Sequence, residues 1–571
     1  MGLIEIILVY VLNNGYDKKK LTYSQRTSVL TLLFKKGDPL SLDNYRPISL
    51  LNVDLKLLSY VLAQRLKKKL PKIINEDQTG YIKNRFIGFN LRQIQDVIDY
   101  ADLYKIEGAI LFVDFSKAFD SLEWNFMFSV LKHFGFNESF VRWVKTLYSD
   151  IQTCVINNGW ISEVFKNSRG IRQGCPLSAL LFVLSVEIMA CRLRNNEKIK
   201  GIKIKLNEKE HSIQISQLAD DTTLFCSSRK DVELAMNEIE IFGSFSGLIL
   251  NRNKTEGLWI GKLKSCKDKV GGINWSTDPV KALGVYFGHD KEECEKRNWE
   301  NRLEKMKTLL SSWQKRRLTI IGKILIIKAL ILPIFTFIGT ACIIPKSYLE
   351  AIESSCFKFI WDNKLDKVKR NVIISPNSKG GLGMIDFWGY FTALKASWVC
   401  RLIKSGMANW SIIPNKYFNS FGANWLIFKT NNGNTRLNPN FKNIPAFYIE
   451  VFKCWNITEG GPTRNPISFL EIRKQVIWNN MFIKCDQKTI VFENWIKSNI
   501  IYVNDIIDEN GNISESIIFD KLKNKSNWIS ETNMIKKSLP KRWLIVLKSD
   551  SSTKSIVNVK KKHNIVAKFG C

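Results

Sequence analysis

The chain has 571 residues, 45% of them hydrophobic, which is enough for large cores and for three or four domains and excludes a chain too polar to fold. Lys+Arg number 85 against 53 Asp+Glu, a formal net charge of +32; that surplus seeks a polyanion, nucleic acid first, with binding that weakens steeply in salt. The 12 cysteines are scattered and form no Cys-x-x-Cys, so zinc-knuckle and zinc-finger chemistry is excluded and the thiols read as reduced core fillers.

The opening stretch LIEIILVYVL (3–12) lacks a basic n-region and a small-residue cleavage site, and Glu5 interrupts it. Residues 1–24 read as a helix cut from a longer protein rather than a signal peptide. Residues 1–107 are basic and mainly helical in pattern. The short apolar run 28–34 predicts a strand, and Lys35-Lys36-Gly37-Asp38-Pro39 a turn. Residues 51–74 space their apolar positions as a helix, with the lysines at 67–69 facing outward and Pro71 just beyond its end.

Residues 108–290 alternate strands and helices. A strand is expected over 109–115 and an amphipathic helix over 124–134, ended by Gly135. Residues 155–157 and 164–168 flank Asn158-Gly159 as a hairpin. A long apolar helix follows Pro176 over 178–194. Residues 213–218 and 223–227 flank an Asp pair, again as a hairpin, and a helix over 231–245 is closed by Gly247.

Residues 295–345 are basic and helical. Within RLEKMKTLLSSWQKRRLTIIGKILIIKAL (302–330), apolar positions suit packing while interleaved Lys and Arg suit a phosphate backbone. Trp299 and Trp313 are expected in the core. Residues 324–344 are long and apolar enough to span a bilayer, but Lys328 and Pro333 lie within them. They are read as a buried helix–turn–helix, and no membrane is expected. Residues 346–571 are rich in aromatics and carry no catalytic signature.

Chemistry concentrates on three acids. Asp114 lies in AILFVDFSKAFDSLEW (109–124), and Asp220 and Asp221 lie in IQISQLADDTTLFC (213–226). Each site follows an apolar, β-branched run. Adjacent carboxylates repel, so two side by side where strands meet need a compensating charge. A pair of divalent ions bound by hard oxygen ligands supplies it, and two such ions roughly 4 Å apart clamp the attacking and leaving oxygens of an in-line phosphoryl displacement.

The order of segments resembles the reverse transcriptase of LINE-type non-LTR retrotransposons. The pieces that carry the likeness are NYRPISLLNVDLKLLSYVLAQRL (44–66), EDQTGYIKNRFIGFNLRQIQDVI (76–98), FVDFSKAFDSLEW (112–124), SRGIRQGCPLSALLF (168–182), LADD (218–221), GLILNRNKTE (247–256) and LGVYFG (283–288). It continues through 361–387 and 477–507. The likeness implies an α+β right-hand polymerase: fingers 25–107, palm 108–290, thumb 291–345, and a helical region 346–571 of unknown role.

Residue by residue, the resemblance makes Asp114, Asp220 and Asp221 the catalytic, metal-holding aspartates. The cofactor is two Mg²⁺ ions, with Mn²⁺ as a substitute. Phe119 matches an aromatic gate whose ring fills the space a ribose 2′-hydroxyl would need, and the amide of Phe115 is placed toward the phosphates. Asp120 is read as a structural cap. Arg46 and Arg85 match basic positions that clamp the triphosphate, a task the guanidinium fork suits; Lys83 competes with Arg85. Gln173, Gly174 and Pro176 match a loop beside the nascent base pair, with Arg169 and Arg172 adding phosphate contacts. Lys254 matches a lysine that protonates pyrophosphate as a general acid. LGVYFG matches the hairpin of a primer grip.

The implied reaction is RNA-templated addition of dNTPs to a DNA primer. The residue before Ala219-Asp220-Asp221 is usually Tyr or Phe in the family and is Leu218 here, from which reduced activity or altered fidelity is expected. No endonuclease-like segment precedes the polymerase motifs, so a truncated or decayed element copy is expected. The alternative function is an inactive remnant that only binds nucleic acid.

Overall fold

The computed structural model describes residues 3–206, 209–405, 408–419, 444–459 and most of 466–549. It forms two compact units, residues 1–384 with 407–414, and residues 385–406 with 415–571. The division therefore falls within the stretch expected to form one C-terminal region.

In the first unit the strands run, in chain order, β1 (Thr27–Phe34), β2 (Tyr45–Leu50), β3 (Glu107–Val113), β4 (Phe115–Ser116), β5 (Gln152–Asn157), β6 (Trp160–Ile161), β7 (Phe165–Lys166), β8 (Ile202–Leu206), β9 (Lys209–Ile213), β10 (Ile215–Leu218), β11 (Asp221–Cys226), β12 (Ile249–Leu250), β13 (Glu256–Gly261), β14 (Asn274–Trp275), β15 (Val280–Ala282) and β16 (Val285–Phe287). One sheet has the order β2-β1-β5-β6, with β7 folded back on β5. A second has the order β10-β11-β3-β13-β14, and β4 pairs with β12 beside it. The class is α+β, as expected.

Strand β3 is the centre of the second sheet. Its run Gly-Ala-Ile-Leu-Phe-Val is buried throughout, with only Glu107 exposed. A continuous apolar strand of this kind needs cover on both faces. The helix Ser178–Asn195 is apolar nearly all round and contributes Leu180, Leu181, Phe182, Val183, Leu184 and Val186 to the same core. Each such side chain stabilises the fold by roughly 1.5–3 kcal/mol through the apolar surface it buries. The helices Trp124–His133 and Arg229–Ser246 add Met127, Val130, Val232 and Ile239.

Most boundaries follow local chemistry. Ser228 accepts from the amide of Asp231 to cap the helix Arg229–Ser246, and Gly247 ends it at φ +78°. Asn158 and Gly159 both take positive φ, which gives the two-residue turn expected between β5 and β6. The return strand differs from expectation. It is split: Trp160–Ile161 pairs near the turn, and Phe165–Lys166 pairs farther back with Gln152 and Thr153. Pro71 is also displaced. The helix Val53–Lys67 stops at Lys68, and Pro71 sits in the first turn of a short helix Leu70–Ile73, where its missing N–H costs nothing.

The apolar stretch expected as helix–turn–helix has no turn. It runs as Ile320–Ile326, a π-helical segment Ile327–Ile331, and Leu332–Ala341. Proline inside a helix loses one hydrogen bond and clashes with the carbonyl four residues back. Widening the turns ahead of Pro333 relieves that clash and keeps the helix continuous. It is long and apolar enough to cross a membrane, and half of its most apolar window is buried inside the fold. Trp299 is buried and lies 6.4 Å from Phe335, nearly parallel to it; Trp313 is only half-buried, with Arg316 over its ring at 4.2 Å.

The second unit is described by itself. The helices Phe387–Ser405 and Ala446–Glu459 pack together, and a separate core gathers Trp478, Trp495, Trp543, Ile472 and Ile535. The buried indoles are satisfied: Trp478 donates to the carbonyl of Ile500 over 2.8 Å, and Trp495 to Glu531 over 2.6 Å.

Candidate catalytic site

Two neighbouring strands bring the three aspartates together. Strand β11 is antiparallel to β3, with Thr222 opposite Val113. Asp221 and Asp114 are the next residues along the two strands. Strands β10 and β11 form a hairpin in which Leu218 pairs with Asp221, so Ala219 and Asp220 are its two turn residues. Ala219 takes the left-handed conformation, φ +57°. For a residue with a Cβ this costs roughly 1–2 kcal/mol.

All three carboxyls titrate above the ordinary Asp range. Burial is the first cause in each case. For Asp114, Lys254, a hydrogen bond from Asn251 and Lys35 pull the other way. For Asp220, its own backbone and Arg46 oppose burial while Asp114 repels. Asp221 is pushed up to about 6, by burial and then by Asp220 and Asp114, against Arg46. Three carboxylates repelling one another in a partly desolvated cleft, with no thiol or imidazole in the set, suit a hard divalent cation. Among the described residues, no three acidic, His or Cys side chains already stand closed around an ion-sized position. They share a field rather than a preformed cage.

Asp114 is gripped from the turn that carries Lys254. The amide of Asn251 donates to the Asp114 carbonyl over 2.8 Å, and the Asp114 amide donates to Thr255 Oγ1 over 3.2 Å. Thr255 is fully buried and donates in turn to the Asn251 carbonyl over 2.8 Å. Lys254 is exposed at this turn, its charge within reach of the Asp114 carboxylate. Asn251 and Thr255 went unnoticed in sequence because only the lysine of their motif suggested chemistry.

The Asp220 turn is gripped from another loop. Gln78, fully buried, accepts from the amide of Ala219 over 2.8 Å and donates to its carbonyl over 3.3 Å. Gly80 packs so closely that a Cβ there would lie 2.5 Å from the Ala219 nitrogen. Thr79 donates twice to the Gln217 carbonyl, from its amide over 2.8 Å and from its hydroxyl over 3.2 Å, tying loop to hairpin.

The remaining residues divide. Arg46 is exposed on β2, its charge reaching Asp220 and Asp221. Lys35, at the end of the β1–β2 turn, reaches Asp114 and Asp120 and was not singled out from sequence. Phe119 stacks on Phe182 with ring centroids 4.5 Å apart and planes 11° from parallel. The Phe115 side chain is buried, and its main chain pairs with Leu250 of β12. Asp120 faces Lys117 and Lys35 rather than capping; the short helix Ala118–Ser121 starts at Lys117 without a side-chain cap.

Arg85 does not stand free. Its guanidinium donates to the carbonyls of Ile74 (2.7 Å), Gln78 (2.6 Å) and Asn75, bracing the loop that holds Ala219. Lys83 is exposed nearby in sequence. Arg172 is likewise turned inward, donating to the Leu147 carbonyl over 3.0 Å beneath the Tyr148 ring, while Arg169 is exposed beside Glu123. Gly174, at φ +114°, is needed for the protein's own backbone: a Cβ there would lie 2.6 Å from the Ser49 carbonyl. The neighbouring Gln173 carbonyl accepts the Ser49 amide over 2.7 Å, so this loop is docked on β2. The hairpin expected at 283–288 starts earlier: β15 pairs with β16 across Leu283 and Gly284, so 283–288 supply its turn and second strand.

Residues 34–287 match the family described as reverse transcriptase (RNA-dependent DNA polymerase). The transposon TX1 uncharacterized 149 kDa protein of Xenopus laevis is 28% identical over 458 residues, 78% of this chain and 34% of that protein. A retrovirus-related Pol polyprotein from the type-2 retrotransposable element R2DM of Drosophila melanogaster is 31% identical over 213 residues, 37% of this chain and 19% of that protein. The RNA-directed DNA polymerase from the mobile element jockey of Drosophila funebris is 24% identical over 379 residues, 62% of this chain and 39% of that protein. The chain thus spans well under half the length of each.

Proposed function

We propose that the chain is a reverse transcriptase of the non-LTR retrotransposon kind, which copies an RNA template into DNA by adding dNTPs to the 3′-hydroxyl of a DNA primer; the family match over residues 34–287 and the retrotransposon relatives support this reading. The observation that carries the reading is the meeting of Asp114 with Asp220 and Asp221 at the ends of β3 and β11.

These carboxylates would hold the divalent ions, Mg²⁺ in our reading, with Mn²⁺ able to replace it. When bound, such ions lower the pKa of the attacking hydroxyl and stabilise the leaving pyrophosphate. Everything else falls to side chains. Arg46 and Lys35, on either side of the β1–β2 turn, supply cationic charge above the aspartates for the triphosphate. Lys254, beside Asp114, hands a proton to the departing pyrophosphate as general acid. Phe119, braced by Phe182, walls off the 2′ position of the incoming sugar; an apolar wall offers that hydroxyl no partner. The loop at Gln173 and Gly174 lies beside the nascent base pair. Arg85 serves by bracing its loop rather than by touching phosphate. The basic surplus holds template and primer, with affinity falling as salt rises.

Primer extension on a homopolymer RNA template with dNTPs and Mg²⁺ tests the reading. Product that disappears in Asp220→Ala supports it. Absence of product at every Mg²⁺ and Mn²⁺ concentration, with nucleic-acid binding intact, supports instead a remnant that only binds, the alternative that Leu218 favours.

A further inference from the structure

We propose that Gln78 is a positioning residue for the metal-holding turn: it sets the affinity of the aspartate site for divalent ions without touching ion or substrate. The inference rests on the reverse transcriptase reading of the three aspartates.

The turn needs an external hold. Ala219 is in the left-handed region although it carries a Cβ, and Asp220 follows directly, so backbone relaxation at Ala219 swings a carboxylate. A conformation of that kind persists only where its surroundings over-determine it. Gln78 supplies the determination. Its side-chain carbonyl accepts from the amide of Ala219 and from that of Gly80, both over 2.8 Å, and its side-chain amide donates to the Ala219 carbonyl over 3.3 Å. It thus pairs with Ala219 on both sides, as a strand residue would, from a side chain with no solvent exposure.

The support beneath Gln78 is itself fixed. Arg85 ties the carbonyls of Ile74, Asn75 and Gln78 together. Arg194 bonds Asp77 over 2.9 Å and also Glu187, and Glu187 accepts the amide of Asn75 over 3.3 Å. Asn409 bonds the other oxygen of Asp77. On the hairpin side, the Thr79 amide donates to the Gln217 carbonyl over 2.8 Å, and the Gln217 amide to the Asp77 carbonyl over 2.8 Å. The loop 74–80 is therefore anchored at its ends and presents one side chain to the turn. A buried polar group so completely engaged specifies one geometry rather than adding bulk stability.

The test is Gln78→Met, which fills the same space and removes every hydrogen bond to Ala219. Mn²⁺ binding is read directly by electron paramagnetic resonance, beside the Mn²⁺ and Mg²⁺ dependence of primer extension. The expected result is an Mn²⁺ dissociation constant raised at least tenfold, with primer–template affinity unchanged. The Thr79 hydroxyl donates to Asn90 Oδ1 and to the Gln217 carbonyl, so Thr79→Val loosens the same loop while leaving Gln78 in place, and is expected to bind Mn²⁺ within twofold of wild type. An unchanged constant in Gln78→Met, or an equal rise in Thr79→Val, overturns the inference. Should Gln78→Met fail to fold, hydrogen exchange of the wild-type protein decides: slow exchange of the Ala219 amide supports the clamp, and exchange at the rate of an exposed turn overturns it. A wild type that binds Mn²⁺ but extends no primer would sink the activity reading while leaving this inference open to the same binding measurement.

Discussion

Asn251 holds Asp114 twice, its backbone amide donating to the Asp114 carbonyl over 2.8 Å and its side chain bonding the carboxylate. The carboxylate is therefore aimed by the turn that also carries Lys254, so the proposed general acid and the proposed metal ligand move as one piece. Asn251→Ala keeps the backbone bond and loses the side-chain one. A hydrogen bond to a charged group contributes about 1.5–3 kcal/mol. If most of that acts in the transition state, single-nucleotide incorporation falls by roughly tenfold to a hundredfold, since about 1.4 kcal/mol is a factor of ten in rate. The dNTP KM is expected to change little. A rate within twofold of wild type would remove Asn251 from the site.

How far the site was legible in sequence can be judged from these residues. Strand β3 and the hairpin β10–β11 were readable because apolar runs broke at acids, and the Asp pair stood out chemically. Asn251, Thr255 and Gln78 were not readable, because their work is a hydrogen bond to a backbone far away in sequence, a contact that leaves no pattern in composition or period. The same blindness explains Arg85 and Arg172. An arginine free for phosphate and one committed to carbonyls look alike until the carbonyls are placed. The helix through Pro333 was misread as broken because the π-helical accommodation depends on packing, not on local propensity.

Phe119 stacks flat on Phe182, so the position of the proposed gate depends on a ring from the helix Ser178–Asn195. Phe119→Ala is expected to relax sugar choice, raising ribonucleotide incorporation relative to deoxynucleotide by at least tenfold. Phe182→Leu should relax it in the same direction but less, because the gate ring remains and only its support is lost. Competition between rNTP and dNTP in primer extension reads both. Unchanged selectivity in Phe119→Ala would discard the gate assignment.

Glu187 and Asp77 are buried carboxyls that share Arg194. Both titrate above their ordinary values, first because of burial, with Arg194 opposing it. Arg194→Ala leaves two buried carboxylates without their cation, a change that costs roughly 3–5 kcal/mol. The sign with pH follows from linkage. A carboxyl whose folded pKa is raised holds its proton more tightly when folded, so its favourable contribution is present at low pH. That contribution is lost as pH rises from the ordinary carboxyl range through the raised value. Removing Arg194 raises both values further. The variant's deficit should therefore be smaller at pH 5 than at pH 8, read by urea unfolding at the two values. An equal deficit at both would mean that Arg194 acts by packing alone.

Leu218 ends β10 opposite Asp221, half-buried, one residue before the left-handed Ala219. An aromatic residue is expected at this position from the resemblance to LINE-type reverse transcriptases. Leucine keeps apolar contact but gives up ring area, and aromatic packing is worth about 0.5–1.5 kcal/mol beyond the area buried. The three aspartates proposed to hold the metal are untouched by this difference. Leu218→Tyr should accordingly raise the rate of nucleotide addition by about threefold to tenfold while leaving the Mn²⁺ dissociation constant within twofold of wild type. The two readouts separate primer-end packing from metal binding. If the rate rises only together with metal affinity, residue 218 acts through the turn that Gln78 holds. If the rate falls, the half-buried site beside Asp221 is already filled by leucine and has no room for a ring.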